Sequence, residues 1–562
     1  MTMLTMHNDR DGFSLAFWQQ EARRIHWQCP FRQVVSLTER GPRCRWFADG
    51  TTNLCFNALD RHLDRRGERC AIIHRDYQGR THRLSYRELW QQVNALSSLM
   101  IHWGIKPGDR VLIAQPMTPQ AAVAMLACAR IGAVHVVVYS AMTGDALAQR
   151  IAACQPGLLL HHGDPRGRGI LPPVPPSSET MRVVDTASAE FAEHLARHQG
   201  QLTPCVWLES SQPSHILFTS GTTGTPKGIV RDTGGYAVAL LASLHHLFRL
   251  GDDEICFTSA DVGWVTGHSY GVYAPLLAGL TTVMCEASPA NAPGQSWWQM
   301  IEALGITRVL TIAGAIRLAR QQGAPRAGLG SLRTLYLAGE PLDDATERWV
   351  VTHLAVKCEN HYWQTESGWP LLAGEGSALN AVFTRRVGIV HPGTYQPCAD
   401  GVAGLLVVKD TLGPGAMMTL WDGDEAHDRQ YWVKISGRWH YLTHDCAVRQ
   451  DGRILVRGRM DEVINVGGKR VATAEIENAL TDLEGIVEVV ATRMPHHLLG
   501  EMVALYVVTE GLDAHQQEIL KHQIRETLKT RCGRHVLPRR IHFRSSLPKT
   551  FSGKIVRRRL SV

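Results

Sequence analysis

Apolar runs without alternation recur along the first two thirds of the chain, each followed by a longer stretch with helical spacing. Arg110 to Ala114 (RVLIA) reads as a strand buried on both faces, Gln120 to Ile131 as a helix, and Ala133 to Tyr139 (AVHVVVY) as a second buried strand. Strand, crossover helix and strand make the unit of a parallel sheet, because a sheet with one wet face would alternate instead. A Pro-rich stretch, Ile170 to Glu179 (ILPPVPPSSE), predicts an exposed loop, after which the rhythm resumes. Leu304 to Ala313 and Ser331 to Leu337 predict further strand segments, each followed by helix-like sequence.

The pattern changes at Gly458 to Arg470 (GRMDEVINVGGKR), where glycines cluster and a helical run, TAEIENALTDL, begins. Val487 to Ala491 and Met502 to Val508 then read as strands, predicting a small α+β domain of about 100 residues. At the other end, AFWQQEARRIHWQCPF carries aromatic residues among charges and predicts a helix docked on a domain surface. No internal repeat is visible.

Length and composition narrow the classes. A chain of 562 residues exceeds what one core organises, so at least two domains are expected. Hydrophobic residues at 44% and charged residues at 20% are those of an ordinary globular protein. The net charge of +7 is spread along the chain apart from a basic end, Lys549 to Arg559, which reads as a solvated face. Neither a nucleic-acid nor a membrane partner is expected. The thirteen cysteines form no C-x-x-C pair, the closest two being Cys44 and Cys55. Buried free thiols in a reducing cytoplasm are the expectation. The opening MTMLTMHNDRDGFS has no apolar core of a secretory signal. Gly271 to Cys285, the longest apolar stretch, falls short of the roughly 20 residues that span a bilayer and predicts protein core.

The chemistry is concentrated in Phe218 to Val230 (FTSGTTGTPKGIV). Glycines let the backbone approach a ligand, hydroxyls and amides donate to phosphate oxygens, and Lys227 adds charge. It is not a Walker A loop, because Pro226 precedes the lysine and no Ser or Thr follows it. The order T-S-G-T-T-G-x-P-K-G resembles the signature of the acyl- and aryl-adenylating superfamily. Gly339-Glu340-Pro341, Tyr362-Trp363-Gln364-Thr365-Glu366, Asp445, Gly458-Arg459 and the tail Pro548 to Lys554 match further motifs of that superfamily in order. Within it the chain is most similar to acetyl- and propionyl-CoA synthetases, through LACARIGAVH, DVGWVTGHSYGVYAPLLAG, RDTGGYAVAL, LYLAGEPLD and YWQTESGWP; the last three lie nearer the propionyl type.

This resemblance implies an α/β protein: a large N-terminal adenylate-forming domain of stacked mixed sheets and helices, residues 1–460, including a docking segment of about 60 residues, and a small mobile α+β domain, residues 461–562. It implies that ATP, a small carboxylic acid and CoA are converted to acyl-CoA through an acyl-adenylate. Thr219, Ser220, Thr222, Thr223 and Lys227 would hold the phosphates. Gly339, Glu340, Pro341, Tyr362 and Gln364 would surround the adenine, with Thr365 at the α-phosphate and Glu366 as ligand of Mg2+. Asp445 would accept from the ribose, with Arg459 nearby, and Lys554 would stabilise charge in adenylation. Rotation about Asp461 would then withdraw Lys554 and present Gly467, Gly468 and Arg470 to CoA, whose 3′-phosphate falls to Arg166 and Arg168. An acetyltransferase and deacetylase acting on Lys554 are implied partners. Trp264, Val265, Thr266, Ala338 and Trp363 would line the acyl pocket. Ala338 stands where acetyl-specific relatives carry valine, favouring propionate, although Thr266 replaces a valine usual in the propionyl type. Asn380 to Gln396 and the turn Val138 to Ala141 (VYSA) depart from the family pattern.

Other classes fit some of the same residues. Gly267-His268-Ser269-Tyr270-Gly271 has the G-x-S-x-G form of a hydrolase nucleophile elbow. The adenylation motifs alone also allow a carrier-protein thiol as acceptor, while the CoA-type N-terminal segment favours free CoA. A binding protein without activity is disfavoured by Lys227, Thr365, Glu366, Asp445 and Lys554 occurring together.

Overall fold

The computed structural model describes residues 15–37, 41–139, 142, 144–163, 174–219, 226–287, 297–321, 323, 329–339, 344–382, 386–466, 469–496, 500–509, 511–532, 534–549 and 555–560. Two large sheets face each other across a layer of helices. The first runs Thr419–Leu420, Lys227–Asp232, Pro213–Thr219, Val134–Val137, Arg110–Ala114, Leu158–His161, Arg182–Asp185. Its last five strands are parallel, and Lys227–Asp232 pairs antiparallel to Pro213–Thr219. The second has a parallel block, Cys70–Arg75, Thr281–Cys285, Ile255–Thr258, Arg308–Thr311, Thr334–Ala338, Lys357–Tyr362. It continues through antiparallel strands as far as Val387–Val390.

Strand alternation explains how one sheet feeds two cores. Val111, Ile113, Val137, Leu158 and Leu160 point into the layer between the sheets, where they meet Leu310, Tyr336 and Ala338 of the other sheet. Their neighbours Leu112, Val136 and Leu159 point outward into a separate cluster. The helices between the sheets are apolar all round, as burial on every side demands. In Pro119–Ile131 every residue but Gln120 is buried, and Gly234–His246 is buried from Gly234 to Leu244. Gly132 ends the first of these with φ 74°, a left-handed cap that costs glycine little.

The predicted βαβ segment is Arg110–Ala114, Pro119–Ile131 and Val134–Val137. The N-terminal helix is Leu15–Glu21; Trp18 is fully buried edge-on to Trp46 and Trp369, at 6.0 and 5.8 Å between ring centroids. Glu21, also buried, pairs with Arg24 at 2.7 Å and with His246 of the central helix at 3.1 Å. A five-stranded sheet built from residues 463–544 stands apart, covered by Ala514–Arg531 through Leu520, Ile524 and Leu528. This is the α/β arrangement of a large and a small unit expected from the sequence.

Differences are local. The strand within Leu304 to Ala313 is only Arg308–Thr311, and the helix within TAEIENALTDL stops at Asn478, whose carbonyl accepts from the Thr481 hydroxyl at 2.7 Å. Gly271 to Cys285 is core, but it joins three elements: the end of a π-helix Gly267–Tyr273, the helix Ala274–Leu277 and the strand Thr281–Cys285. All thirteen cysteines are free thiols. No described helix is long and apolar enough to cross a membrane.

Candidate active site

Many of the described candidate residues gather at the carboxyl ends of the parallel strands, where open α/β sheets bind ligands. Gly339 follows Thr334–Ala338, Trp363 to Glu366 follow Lys357–Tyr362, and Trp264 to Thr266 follow Ile255–Thr258. Gly339 has φ +90° and a Cβ there would lie 3.4 Å from Ile312 Cγ2. That contact is an ordinary one, so it is the left-handed bend that favours glycine. In the facing sheet Thr219 and Lys227 pair on the two antiparallel strands that flank the expected phosphate loop in sequence.

Residues 362–368 form a tightly tied turn. Gln364 donates from Nε2 to the Thr443 carbonyl at 2.6 Å and to Asp445, and its Oε1 accepts from Tyr441 at 2.8 Å. The Tyr362 hydroxyl also donates to Asp445. Burial, with the Asp445 carboxylate beside it, pushes that phenol well above its ordinary range. Arg459, opposite Asp445 in the ladder, reaches it at 3.8 Å. Two of the adenine candidates, Tyr362 and Gln364, thus meet the ribose candidate Asp445 directly.

Glu366 faces Lys227. Glu366 Oε1 accepts from the Tyr431 hydroxyl at 2.9 Å, and the Lys227 ammonium lies 5.9 Å over the ring of the same tyrosine. Burial pushes Lys227 below its usual range while Glu366 opposes the shift. An anionic hard oxygen beside a phosphate-binding lysine suits Mg2+ carried on nucleotide phosphates, so the donor set fits that ion.

Of the residues expected to line an acyl pocket, Ala338 and Trp363 are buried and Trp264, Val265 and Thr266 half-buried. Trp363 stands edge-on to Tyr270, 5.4 Å between centroids at 89°, which fixes its plane from behind. The segment that carries Trp264 is seated by glycines. A Cβ on Gly263 would lie 2.4 Å from the Tyr139 nitrogen, and one on Gly267 would lie 2.1 Å from the Asp261 oxygen.

Ser269 is no nucleophile elbow. It is fully buried inside a π-helix, hydrogen-bonded to Tyr236 at 2.8 Å, whereas an elbow exposes its serine on a sharp turn between strand and helix. Tyr236 also takes His268 Nδ1, at 3.0 Å. His268, His135 and His215 form the one group of close metal-ligating side chains among the described residues. Their rings lie within 14–34° of parallel, with His215 and His268 at 4.2 Å between centroids. Their ligating nitrogens lie within 4.8 Å of one another, but two of them already face each other as donor and acceptor. His135 and His268 hydrogen-bond at 3.0 Å through Nε2.

Several candidates lie outside the described residues: Arg166, Arg168, Ser220, Thr222, Thr223, Glu340, Pro341, Gly467, Gly468 and Lys554. Asp461 and Arg470 are described in their backbone alone, in the turn Met460–Glu462 and the strand Lys469–Ala472. Tyr431, Tyr441 and Arg231, which tie the turn down, escaped the sequence analysis. Arg231 stands within RDTGGYAVAL, but nothing in its spacing announces a buried arginine.

Comparison with known proteins accords with this geometry. Residues 59–421 match the AMP-binding enzyme family, 475–554 the AMP-binding enzyme C-terminal domain, and 12–58 the acetyl-coenzyme A synthetase N-terminus. A propionate–CoA ligase of Escherichia coli is 37% identical over 96% of this chain and 92% of its own length. An acetyl-coenzyme A synthetase of Novosphingobium aromaticivorans is 35% identical over 96% and 89%. The solved acetoacetyl-CoA synthetase from Streptomyces lividans shares the fold at TM-score 0.82 and 21% identity, over 96% of this chain and 86% of that one. With matches that run nearly from end to end and include the N-terminal segment, this chain belongs to the AMP-binding enzymes, in their acetyl- and propionyl-CoA synthetase family.

Proposed function

We propose that the protein is an AMP-forming ligase that joins a short carboxylate, propionate before acetate, to CoA. The observation that carries this is the hydrogen bonding of both Tyr362 and Gln364 to Asp445, with Glu366 held by Tyr431 beside Lys227 one turn along the same segment. In the first half-reaction a carboxylate oxygen attacks the α-phosphorus of ATP and diphosphate leaves; in the second the CoA thiol attacks the acyl carbon and AMP leaves. Thr219, Ser220, Thr222, Thr223 and Lys227 hold the phosphates, Gly339, Glu340, Pro341, Tyr362 and Gln364 the base, and Asp445 with Arg459 the ribose. Glu366 would hold Mg2+, which would supply charge neutralisation on the phosphate oxygens. Lys554 stabilises the charge that builds between carboxylate and phosphate.

Residues 461–562 then turn about Asp461, and Gly467, Gly468 and Arg470 admit the pantetheine arm, with Arg166 and Arg168 toward the 3′-phosphate. Acetylation of Lys554 would delete the charge and switch off the first step. The protein acts in the cytoplasm, where thirteen free thiols stay reduced. The test is exchange of labelled diphosphate into ATP. It is expected to require both Mg2+ and propionate, and exchange that ignores the carboxylate would refute the proposal.

A further inference from the structure

Arg231 is fully buried on the strand Lys227–Asp232, four residues from Lys227 and therefore on the same face of the strand. Its guanidinium donates through Nη2 to the main-chain carbonyl of Thr365. Nε and Nη1 are buried with no hydrogen-bond partner among the described residues. Burial pulls its pKa down, and Tyr236, Glu366 and Asp232 act against that shift. The histidines stacked nearby, His215 and His268, are held neutral by burial and by Arg231 itself.

A buried cation with one acceptor is a poor stabiliser; an apolar side chain of similar size is often as good or better. Packing therefore leaves this residue unexplained, and the turn above it supplies the reason. Met417 N donates to the Glu366 carbonyl at 2.8 Å, so neighbouring carbonyls of the turn are anchored separately. Gly368, at φ +77°, lies so close that a Cβ would be 2.0 Å from the Gly415 oxygen and 3.2 Å from Arg231 Nε. The guanidinium is wedged beneath the two residues that the adenylation chemistry uses.

We propose that Arg231 is a positioning residue for adenylation. It holds the Thr365–Glu366 turn by its carbonyl and places a fixed positive charge beneath the point where triphosphate, carboxylate and Glu366 converge. One strand would then serve the reaction at both ends, Lys227 on the phosphates and Arg231 under the turn. This assignment rests on the ligase function proposed above.

The experiment compares wild type, Arg231→Met and Arg231→Lys in three measurements: propionate-dependent diphosphate exchange, CoA thioester formation from pre-formed propionyl-adenylate, and Tm. Loss of sub-ångström alignment predicts exchange in Arg231→Met about 10- to 100-fold slower. The Mg2+ concentration for half-maximal exchange rises, thioester formation from the adenylate stays at the wild-type rate, and Tm does not fall. Arg231→Lys, which restores a cation, regains part of the exchange. Unchanged exchange, or equal loss in both half-reactions, overturns the assignment, as does a loss that follows Tm and that lysine does not relieve. Should Arg231→Met not fold, the ratio of exchange to thioester formation in Arg231→Lys decides: a lowered ratio supports the role, an unchanged one overturns it. Absence of exchange in wild type would sink the ligase function and this assignment with it, whereas normal exchange in the variants sinks the assignment alone.

Discussion

Ala338 shows how much one side chain decides. It ends the strand Thr334–Ala338, buried in the same core as Trp363, the tryptophan proposed for the acyl pocket. Two added methyl carbons at this position would occupy the volume that the third carbon of propionate takes. Filling such space with a methylene is worth about 1 to 3 kcal/mol, or about 10- to 200-fold in specificity. Ala338→Val is therefore expected to move the optimum from propionate toward acetate in a panel of C2 to C8 acids, read as kcat/KM. A wild-type optimum at acetate, or no shift in the variant, would remove Ala338 from the pocket. Trp363 was legible in the sequence through its motif, but Tyr270 behind it was not, because a ring contact between a π-helix and a strand end leaves no spacing signature.

Among elements, the two strands and the π-helix that carry His135, His215 and His268 form a neutral polar layer inside an apolar core. Burial pushes His135 down to about 3 and the other two well below the ordinary 6.5. In the unfolded chain all three bind protons below about pH 6.5, so between there and about pH 3 the unfolded state holds more protons and stability falls as pH falls. Each such histidine contributes about 1.4 kcal/mol per pH unit in that window. The urea midpoint of wild type is expected to drop steeply below pH 6, and His215→Phe to drop less steeply; parallel profiles would show that His215 is not titrating. The parallel βαβ rhythm was readable because buried strands are continuous apolar runs. The π-helix was not, since it goes with glycines packed closely against other segments, Gly267 on the Asp261 main chain and Gly271 on the Thr258 methyl, and not with any periodicity.

On the scale of the whole molecule, two sheets and their helices make a fixed floor, and a separate five-stranded sheet carries the C-terminal tail. The change of pattern at the glycine-rich Gly458 to Arg470 stretch made that division readable in outline, although the superfamily signatures run on past it to the tail Pro548 to Lys554. What no motif carried was the underside of the site: Arg231, Tyr431 and Tyr441 are joined to it by hydrogen bonds across 65 to 134 residues of sequence. One chain is expected to make an acyl-adenylate and then pass its acyl group to CoA, with Lys554 serving the first step alone. The measurement that tests it is Lys554→Ala against wild type in both half-reactions, diphosphate exchange with propionate and thioester formation from propionyl-adenylate. Wild type is predicted to perform both, and the variant to lose exchange while still converting the adenylate to propionyl-CoA and AMP. Equal loss in both halves, or a wild type that forms no thioester from the adenylate, would contradict it.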